Sequence, residues 1–290
     1  MNILITGANG QLGTEMRNVC RETGNKYVFT DVNTLPGADT VYLDITNIDA
    51  IRITAASENI DVIVNCAAYT DVAKAEDDTD FANLLNNTAA SNLAAVAAER
   101  GATLIHISTD YVFDGSSTVP YREYDPKNPL GVYGSTKLAG ERAIEESGCR
   151  YLIFRTAWLY SPYGKNFVKT MKKLTAERDI TKVVFDQVGT PTYAKDLATL
   201  IHKIISEDLL DKKGIYHFSD EGVCSWFDFA TEIAQMCGNA GRVVPCHSDE
   251  FPSKVRRPSF SVLDKSLVKD TFGIEIPHWR ASLADCIKRL

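Results

Sequence analysis

Three features of this chain predict an α/β protein with a doubly wound parallel sheet, helices on both faces and a small C-terminal lobe. Short apolar runs alternate with helical stretches over residues 1–155, the pattern of right-handed βαβ units. The first run passes directly into glycines at three-residue spacing, and these open a helix. Beyond Arg155 the alternation loosens, and four of the ten prolines (Pro245, Pro252, Pro258 and Pro277) fall late in the chain.

Asn2–Thr6 (NILIT) is apolar and ends at glycines, as a strand buried on both faces does. Gln11–Glu22 reads as the first helix. Lys26–Asp31 (KYVFTD) and Thr40–Asp44 (TVYLD) are the next strands, each ending in aspartate, and Ile45–Ala56 is a helix. Asp61–Asn65 (DVIVN) and Thr103–Ser108 (TLIHIS) are strands separated by the alanine-rich helix Leu84–Arg100. Helix Ser135–Ser147 precedes the strand Arg150–Arg155 (RYLIFR). Asn166–Arg178 and Ala194–Ile205 then read as helices and Gly214–Phe218 as a strand. Ser225–Cys237 is an amphipathic helix behind a serine cap. Trp226, Phe227 and Phe229, at helical spacing within it, are expected in the core.

Of the 290 residues, 44% are hydrophobic and 24% charged, a globular composition that excludes a wholly disordered chain. Lys and Arg total 31 against 38 Asp and Glu, a net charge of −7, so sequence-independent nucleic-acid binding is not expected. A few local cations would still suffice to hold a small anion. No apolar run approaches the ~20 residues that span a bilayer. MNILITGANG lacks the basic start, apolar stretch and cleavage site of a signal peptide, so the expectation is a cytoplasmic protein with no membrane partner. Cys20, Cys66, Cys149, Cys224, Cys237, Cys246 and Cys286 are odd in number and scattered. They form no C-x-x-C and have no histidines at zinc-finger spacing, so reduced thiols and no structural zinc are expected.

Gly7, Gly10 and Gly13 form G-x-x-G-x-x-G between the first strand and the first helix. Glycines there permit a tight turn, close backbone approach to a pyrophosphate and helix–strand contact, and the helix N-terminus faces the anion. The predicted fold is therefore Rossmann-like, with a dinucleotide-binding core over 1–155. The smaller substrate lobe takes most of 156–290, with segments returning to the core. Asp31 ends the second strand 18 positions after Gly13, where an acidic residue accepts hydrogen bonds from an adenosine ribose and repels a 2′-phosphate. Asp44, followed by Ile45, either contacts adenine or caps the helix behind it. Cys66, just past the fourth strand, is read as packing.

Tyr133 and Lys137 form Y-x-x-x-K, and positions i and i+4 share one face of a helix. A free phenol titrates near ~10, too high for efficient proton transfer at neutral pH, and a nearby ammonium would lower it. Thr109 lies 24 residues before Tyr133, at a strand's C-terminal end, where open α/β sheets place ligands. His106, inside an apolar strand, is read as a satisfied core residue. Trp158, just past a strand end, either stacks on a ligand or packs. Arg257, between Arg256 and Pro258, either holds a diphosphate with its guanidinium fork or is solvated surface.

GANGQLG (7–13), NCAAYT (65–70), STDYVFDG (108–115), YGSTKLAGE (133–141), RTAWLY (155–160), DQVGTPT (186–192) and RRP (256–258) together resemble the extended short-chain dehydrogenase/reductase family. Within it they are similar to the dTDP-4-dehydrorhamnose reductase branch. The resemblance implies NADH or NADPH as cofactor and a dTDP-sugar as substrate, with dTDP-4-dehydro-L-rhamnose reduced at its 4-keto group to dTDP-L-rhamnose. It implies Tyr133 as proton donor, Lys137 as its support and nicotinamide-ribose ligand, and Thr109 as the third catalytic member. Thr109, Asp110 and Trp158 would face the sugar. Gly10, Gln11, Leu12, Asp31, Asp44, Ile45, Ala68, Tyr69 and Thr70 would line the cofactor.

The chain departs from the family at Thr70–Glu76, where the acidic group stands at Asp71 and Ala73 occupies the position relatives often give to aspartate. Local helix capping there is open. Some relatives bind Mg²⁺ between subunits through clustered carboxylates; no such cluster is evident here, so metal is not expected, and a homodimer is left open. Other readings on this scaffold are a nucleotide-sugar dehydratase or epimerase, another nucleotide-sugar reductase, and a non-catalytic NADP-binding subunit resembling the regulatory subunit of methionine adenosyltransferase. Dehydratases commonly carry T-D-E, whereas this chain has Thr109-Asp110-Tyr111 and lacks the eliminating carboxylate.

Overall fold

The computed structural model describes residues 1–20, 24–35, 37–251 and 254–290. The first half runs β1 (Asn2–Thr6), α1 (Gln11–Val19), β2 (Lys26–Asp31), β3 (Val41–Tyr42), α2 (Ile48–Ser57), β4 (Val62–Asn65), α3 (Val72–Ala75) and α4 (Thr79–Asn83). A π-helical turn over Leu84–Thr88 joins α4 to α5 (Ala89–Arg100); β5 (Thr103–Thr109), a 3-10 turn at Asp110–Val112, α6 (Val132–Glu146) and β6 (Arg150–Thr156) follow. Then come β7 (Leu159–Tyr160), α7 (Phe167–Glu177), β8 (Ile180–Val184), β9 (Val188–Gly189), β10 (Thr192–Tyr193), α8 (Ala194–Ser206) and β11 (Gly214–His217). The chain continues through β12 (Cys224–Ser225), α9 (Trp226–Met236), β13 (Arg242–Cys246), α10 (Ser266–Phe272) and α11 (Trp279–Lys288).

Seven strands form one parallel sheet in the order β11-β6-β5-β4-β1-β2-β3. Strand order reverses between β1 and β4, and a crevice opens there at the C-terminal edge. Both faces are covered, which is why the strands read as continuous apolar runs. Ile3 and Ile5 pack with Leu12 and Met16 of α1, Leu197 and Ile201 of α8 and Phe272 of α10. Leu4 points the other way, toward Ile51 of α2 and Leu93 and Ala97 of α5. Three two-stranded sheets, β7–β10, β8–β13 and β9–β12, belong to the later part of the chain. Its own core gathers Tyr160, Met171, Phe229, Ile233, Trp279 and Leu283. From beyond residue 156, α8, β11 and α10 pack onto or extend the large sheet.

Two ion pairs, one buried at both partners and one buried at its carboxylate alone, tie distant segments together. Glu141 of α6 and Arg155 of β6, both fully buried, meet at 2.7 Å, with a second guanidinium bond from Nε at 2.9 Å. Glu15 of α1, also fully buried, receives Arg289 at 2.9 Å, and the same guanidinium reaches the hydroxyls of Tyr193 and Tyr163.

Several boundaries differ from expectation, each for a local reason. The strand expected over 40–44 shrinks to Val41–Tyr42, an exposed edge with one neighbour. Asp44 does not cap α2: Asn47 does, accepting from Asp49 N and Ala50 N, and α2 starts at Ile48. The helix expected over 84–100 begins instead in a π turn that drives Asn86 inward, where its amide clamps both backbone groups of Tyr69. α6 starts at Val132, three residues early, because the Glu76 carboxylate accepts the Val132 N–H at 2.8 Å. Ser225 caps α9 in a capping box with Asp228, as its sequence signalled. Part of the expected first helix, Arg21–Glu22, and Pro252 lie outside the described residues; α1 runs to Val19.

Candidate active site

A cavity of about 930 Å³ occupies the crevice, running from the glycine turn past the ends of β4 and β5 to Trp158 and Trp226. Backbone forms its first end. Gly7 has φ +61°, and a Cβ there would come within 2.6 Å of Ala67 N. Gly10 precedes α1, whose first-turn N–H groups point at the cavity wall formed by Gly10, Gln11 and Leu12. Gly13 does not reach the cavity. It lets α1 rest on the turn, since a Cβ there would stand 2.3 Å from Gly7 O. Asp31 lines the cavity and is oriented by Asn9 N (3.1 Å) and Asn33 N (2.9 Å). Asp44 and Ile45 line it too, and the Asp44 carboxylate accepts from Thr46 N and Thr46 Oγ1. A tight glycine turn whose packing leaves no room for a Cβ at Gly7 or Gly13, a helix N-terminus and an acidic group at the end of β2 fit a dinucleotide.

Ala68 and Thr70 line the floor, together with Cys66, whose thiol burial pushes upward and keeps neutral. Tyr69 is a correction. Its ring turns away from the cavity, edge-on to Phe81 with centroids 5.9 Å apart, against Ala75 and Ala82. The Asn86 clamp holds its backbone in that direction. The displaced carboxylate at Asp71 caps α3 through Lys74 N at 3.0 Å, so the family departure is absorbed as a helix cap.

Buried side chains form the other end. Thr109 ends β5; its hydroxyl donates to Asp110 Oδ1 at 3.0 Å and accepts from Tyr111 N at 3.2 Å, and it favours the ionised form of the nearby Tyr133 phenol. Tyr133 sits in the first turn of α6, edge-on to Tyr111 at 5.5 Å. Asp110 is 2% exposed, with Oδ2 lacking a hydrogen-bond partner and its pKa raised by burial to about 6. Lys137 is also 2% exposed, and burial lowers its pKa to about 8 while Glu141 opposes the shift.

The expectation that Lys137 lowers the Tyr133 pKa is corrected. Burial raises the phenol above its ordinary value, with Thr109 acting the other way. The Lys137 amine aims into the sheet, 2.5 Å from Ile107 O and 3.2 Å from His106 Nε2. Tyr133 therefore holds its proton at neutral pH, the state a proton donor needs. His106 is fully buried with both ring nitrogens partnered.

Trp158, at φ +50°, stacks on Trp226 with centroids 3.5 Å apart, and both rings line the cavity. Trp226, expected in the core, is a wall residue because α9 begins at the cavity rim; Phe229, one turn on, is the buried member. Arg257 lines the cavity near Tyr111, whose phenol burial raises to about 12 while the Arg257 charge opposes the shift. Neighbouring Pro258 is buried against Gly115, while Lys254 is engaged by Asp77 at 2.8 Å. The reading missed Ser161 and Asn166, which hold Gln11 Oε1 at 3.1 and 2.9 Å and so latch the later part of the chain to the start of α1. No local motif marks a partner 150 residues away. Among the described residues no group of three or more His, Cys, Asp or Glu could hold a metal ion, and no helix is long and apolar enough to cross a membrane.

A nucleotide-binding α/β scaffold with a Thr–Tyr–Lys set at its crevice is the class this geometry defines. The chain belongs to the family described as RmlD substrate binding domain, whose model matches residues 1–290. It is 38% identical over 300 residues to the dTDP-4-dehydrorhamnose reductase of Escherichia coli K12, covering 100% of this chain and 98% of that protein. It is 37% identical over 286 residues to the spore coat polysaccharide biosynthesis protein SpsK of Bacillus subtilis 168, covering 99% and 96%. The crystal structure of a dTDP-4-dehydrorhamnose reductase from Clostridium acetobutylicum superposes with a TM-score of 0.92 at 42% identity, covering 100% of this chain and 99% of that one. The Bacillus anthracis dTDP-4-dehydrorhamnose reductase in complex with NADP gives 0.88 at 36%, covering 100% and 99%.

Proposed function

We propose that this protein uses NADH or NADPH to reduce the 4-keto group of dTDP-4-dehydro-L-rhamnose, giving dTDP-L-rhamnose. One observation carries the reading: Thr109, Tyr133 and Lys137 line the same cavity as the glycine turn at one end and the Trp158–Trp226 pair at the other. Full-length relatives carrying the dTDP-4-dehydrorhamnose reductase name support the substrate class. Residues 1–155 form the cofactor core, and 156–290 mainly the substrate lobe, with α8 and β11 returning to the sheet.

The reduced nicotinamide, when bound, supplies the hydride. Gly7, Gly10, Gln11 and Leu12 hold its pyrophosphate by backbone, and Asp31 orients a ribose. Lys137 steadies the second ribose. As charge develops on the carbonyl oxygen, Tyr133 gives it a proton, with Thr109 aligning both phenol and substrate oxygen. Asp110 and Trp158 face the sugar, and Arg257 pairs with the diphosphate. Tyr111 stands where a dehydratase needs a carboxylate, so elimination of water has no base at that position.

The test is substrate-dependent oxidation of NADH and NADPH with dTDP-4-keto-6-deoxy-L-mannose, run beside Tyr133→Phe. The native protein turns over, and the variant loses ~10²–10⁴-fold in kcat while cofactor Kd is unchanged. No substrate-dependent oxidation, or native turnover in the variant, overturns the proposal.

A further inference from the structure

At the glycine end of the cavity one side chain joins the main-chain surface. Gln11, the first residue of α1, lines the cavity together with Gly164 and Asn166 from the loop before α7. Gly164, at φ +61°, approaches so closely that a Cβ there would stand 3.2 Å from Gln11 Cγ. The hydrogen bonds of this loop admit one orientation of both amides. Asn166 caps α7, and the Lys169 backbone N–H, which can only donate, marks the capping atom as Oδ1 at 3.1 Å. Asn166 Nδ2 then faces three oxygens: Ser161 O at 2.7 Å, Tyr163 O at 3.2 Å and Gln11 Oε1 at 2.9 Å. The two carbonyls can only accept, which agrees with that assignment. The Ser161 hydroxyl also meets Gln11 Oε1, at 3.1 Å, but a hydroxyl can serve either end of an amide. Asn166 therefore decides, because a reversed Gln11 would set two donor nitrogens against each other. Gln11 Nε2 is left with two N–H groups and, among the described residues, no partner within the protein.

We propose that Gln11 gives its side-chain N–H groups to the pyrophosphate of the nicotinamide cofactor, and that Asn166 is a positioning residue holding the amide with that face toward the ligand. The inference rests on the reading of the glycine turn as the pyrophosphate end. Phosphate oxygens only accept, and an unrestrained glutamine would offer them its own oxygen as readily as its nitrogen; the Asn166 bond removes that alternative. The surroundings suit an anion. The first-turn N–H groups of α1 supply dipoles from one side, and Lys165, next to Asn166 on the same cavity wall, supplies a positive charge from the other. The remaining cations of the wall are engaged elsewhere: Lys137 aims at Ile107 O and His106, and Arg257 lies near Tyr111. The functional consequence is that the cofactor site spans both parts of the chain. A donor carried by the first helix is set by a residue of the later part, so cofactor binding and the order of the loop before α7 reinforce each other.

The test is calorimetry on the whole protein with ADP-ribose, which keeps the pyrophosphate and lacks the nicotinamide; dTDP is titrated beside it to separate the diphosphate of the sugar nucleotide. Gln11→Glu keeps one oxygen under Asn166 and Ser161 and puts an anionic oxygen where Nε2 stands. A carboxylate in the first turn of a helix is favourable, so thermal stability should hold while ADP-ribose affinity falls by more than about tenfold. Gln11→Met, which removes the donors without adding charge, should cost about tenfold. Asn166→Ser keeps a capping hydroxyl for α7 and releases the amide. It should weaken ADP-ribose severalfold in the native background and hardly at all in Gln11→Met, whereas a merely structural role would give the same loss in both. The dTDP affinity should stay unchanged throughout. An unaltered ADP-ribose Kd in Gln11→Glu, a loss that falls on dTDP instead, or an Asn166→Ser effect of equal size in both backgrounds overturns the inference. None of these titrations needs turnover, so failure of the reductase assay leaves them unaffected and the two readings fall separately.

Discussion

The two ends of the cavity are made of different materials. At the glycine turn the working surface is main chain: Gly7 and Gly10 contribute the absence of a side chain, and α1 contributes its free N–H groups. At the tryptophan end it is side chain, and the polar groups there are buried: Lys137, Asp110 and His106, with the Glu141–Arg155 pair behind them. The first end is vulnerable to added atoms and the second to removed ones. The difference follows from the ligand groups each end must meet. A pyrophosphate is satisfied by an array of fixed dipoles, whereas proton transfer needs titratable groups removed from water.

Arg155→Leu tests that contrast most severely. Removing one partner of a fully buried ion pair should cost about 3–5 kcal/mol in unfolding free energy by urea titration. Glu141 would be left unpaired beneath Lys137 and Ser108. A loss under about 1 kcal/mol would mean that water reaches the pair and that this end is not dry.

Gly13→Ala is the converse experiment, an addition at the backbone end. With Gly7 O only 2.3 Å from the new Cβ, the turn must shift. Overpacking of this kind costs about 1–3 kcal/mol, and calorimetry should show cofactor affinity falling while substrate KM is held. Gly10→Ala, whose Cβ would meet Gly7 O at 3.2 Å, should be the milder of the two. Equal effects from both would show that the turn adapts and that its geometry is not the determinant.

Smaller effects separate the two anion sites. Arg257→Ala should raise the sugar nucleotide KM about tenfold, the worth of one hydrogen bond to a charged group, and leave NADH Kd unchanged. Equal loss of both affinities would assign Arg257 to the fold. Asp31→Ala should do the reverse and least of all, weakening NADH severalfold and narrowing its advantage over NADPH in paired kcat/KM measurements. No change in that ratio would reduce Asp31 to a tether for Asn9 and Asn33.

The backbone end was the more legible in the sequence, because strand, glycines and helix are contiguous and their spacing is the geometry. The inner strands of the large sheet were readable because burial on both faces writes an unbroken apolar run, whereas the exposed edge strand β3 was read three residues too long. The other end was legible only in its motif. Y-x-x-x-K placed Tyr133 and Lys137 on one helix face, but not the direction of the amine, which is set by Asn65 and His106 on other strands. Tyr69 was misjudged because its direction depends on Asn86, pushed inward by a π turn that no residue pattern announces. Trp226 was misread because helical spacing reports a buried face and not where the helix begins. The two-residue strands of the later part carry too few residues for any period to show.

The Arg289–Glu15 pair sets an order on assembly during synthesis. Domains take shape as the chain emerges, N-terminal part first, and α1 is among the first helices available. Its fully buried carboxylate has its guanidinium partner 274 residues later. Until Arg289 has left the ribosome, Glu15 must either stay in water, holding α1 off the sheet, or be buried without its counter-charge. The glycine turn leads directly into α1, so the nucleotide end of the crevice, though it begins within the first 13 residues, depends on a contact completed only at residue 289.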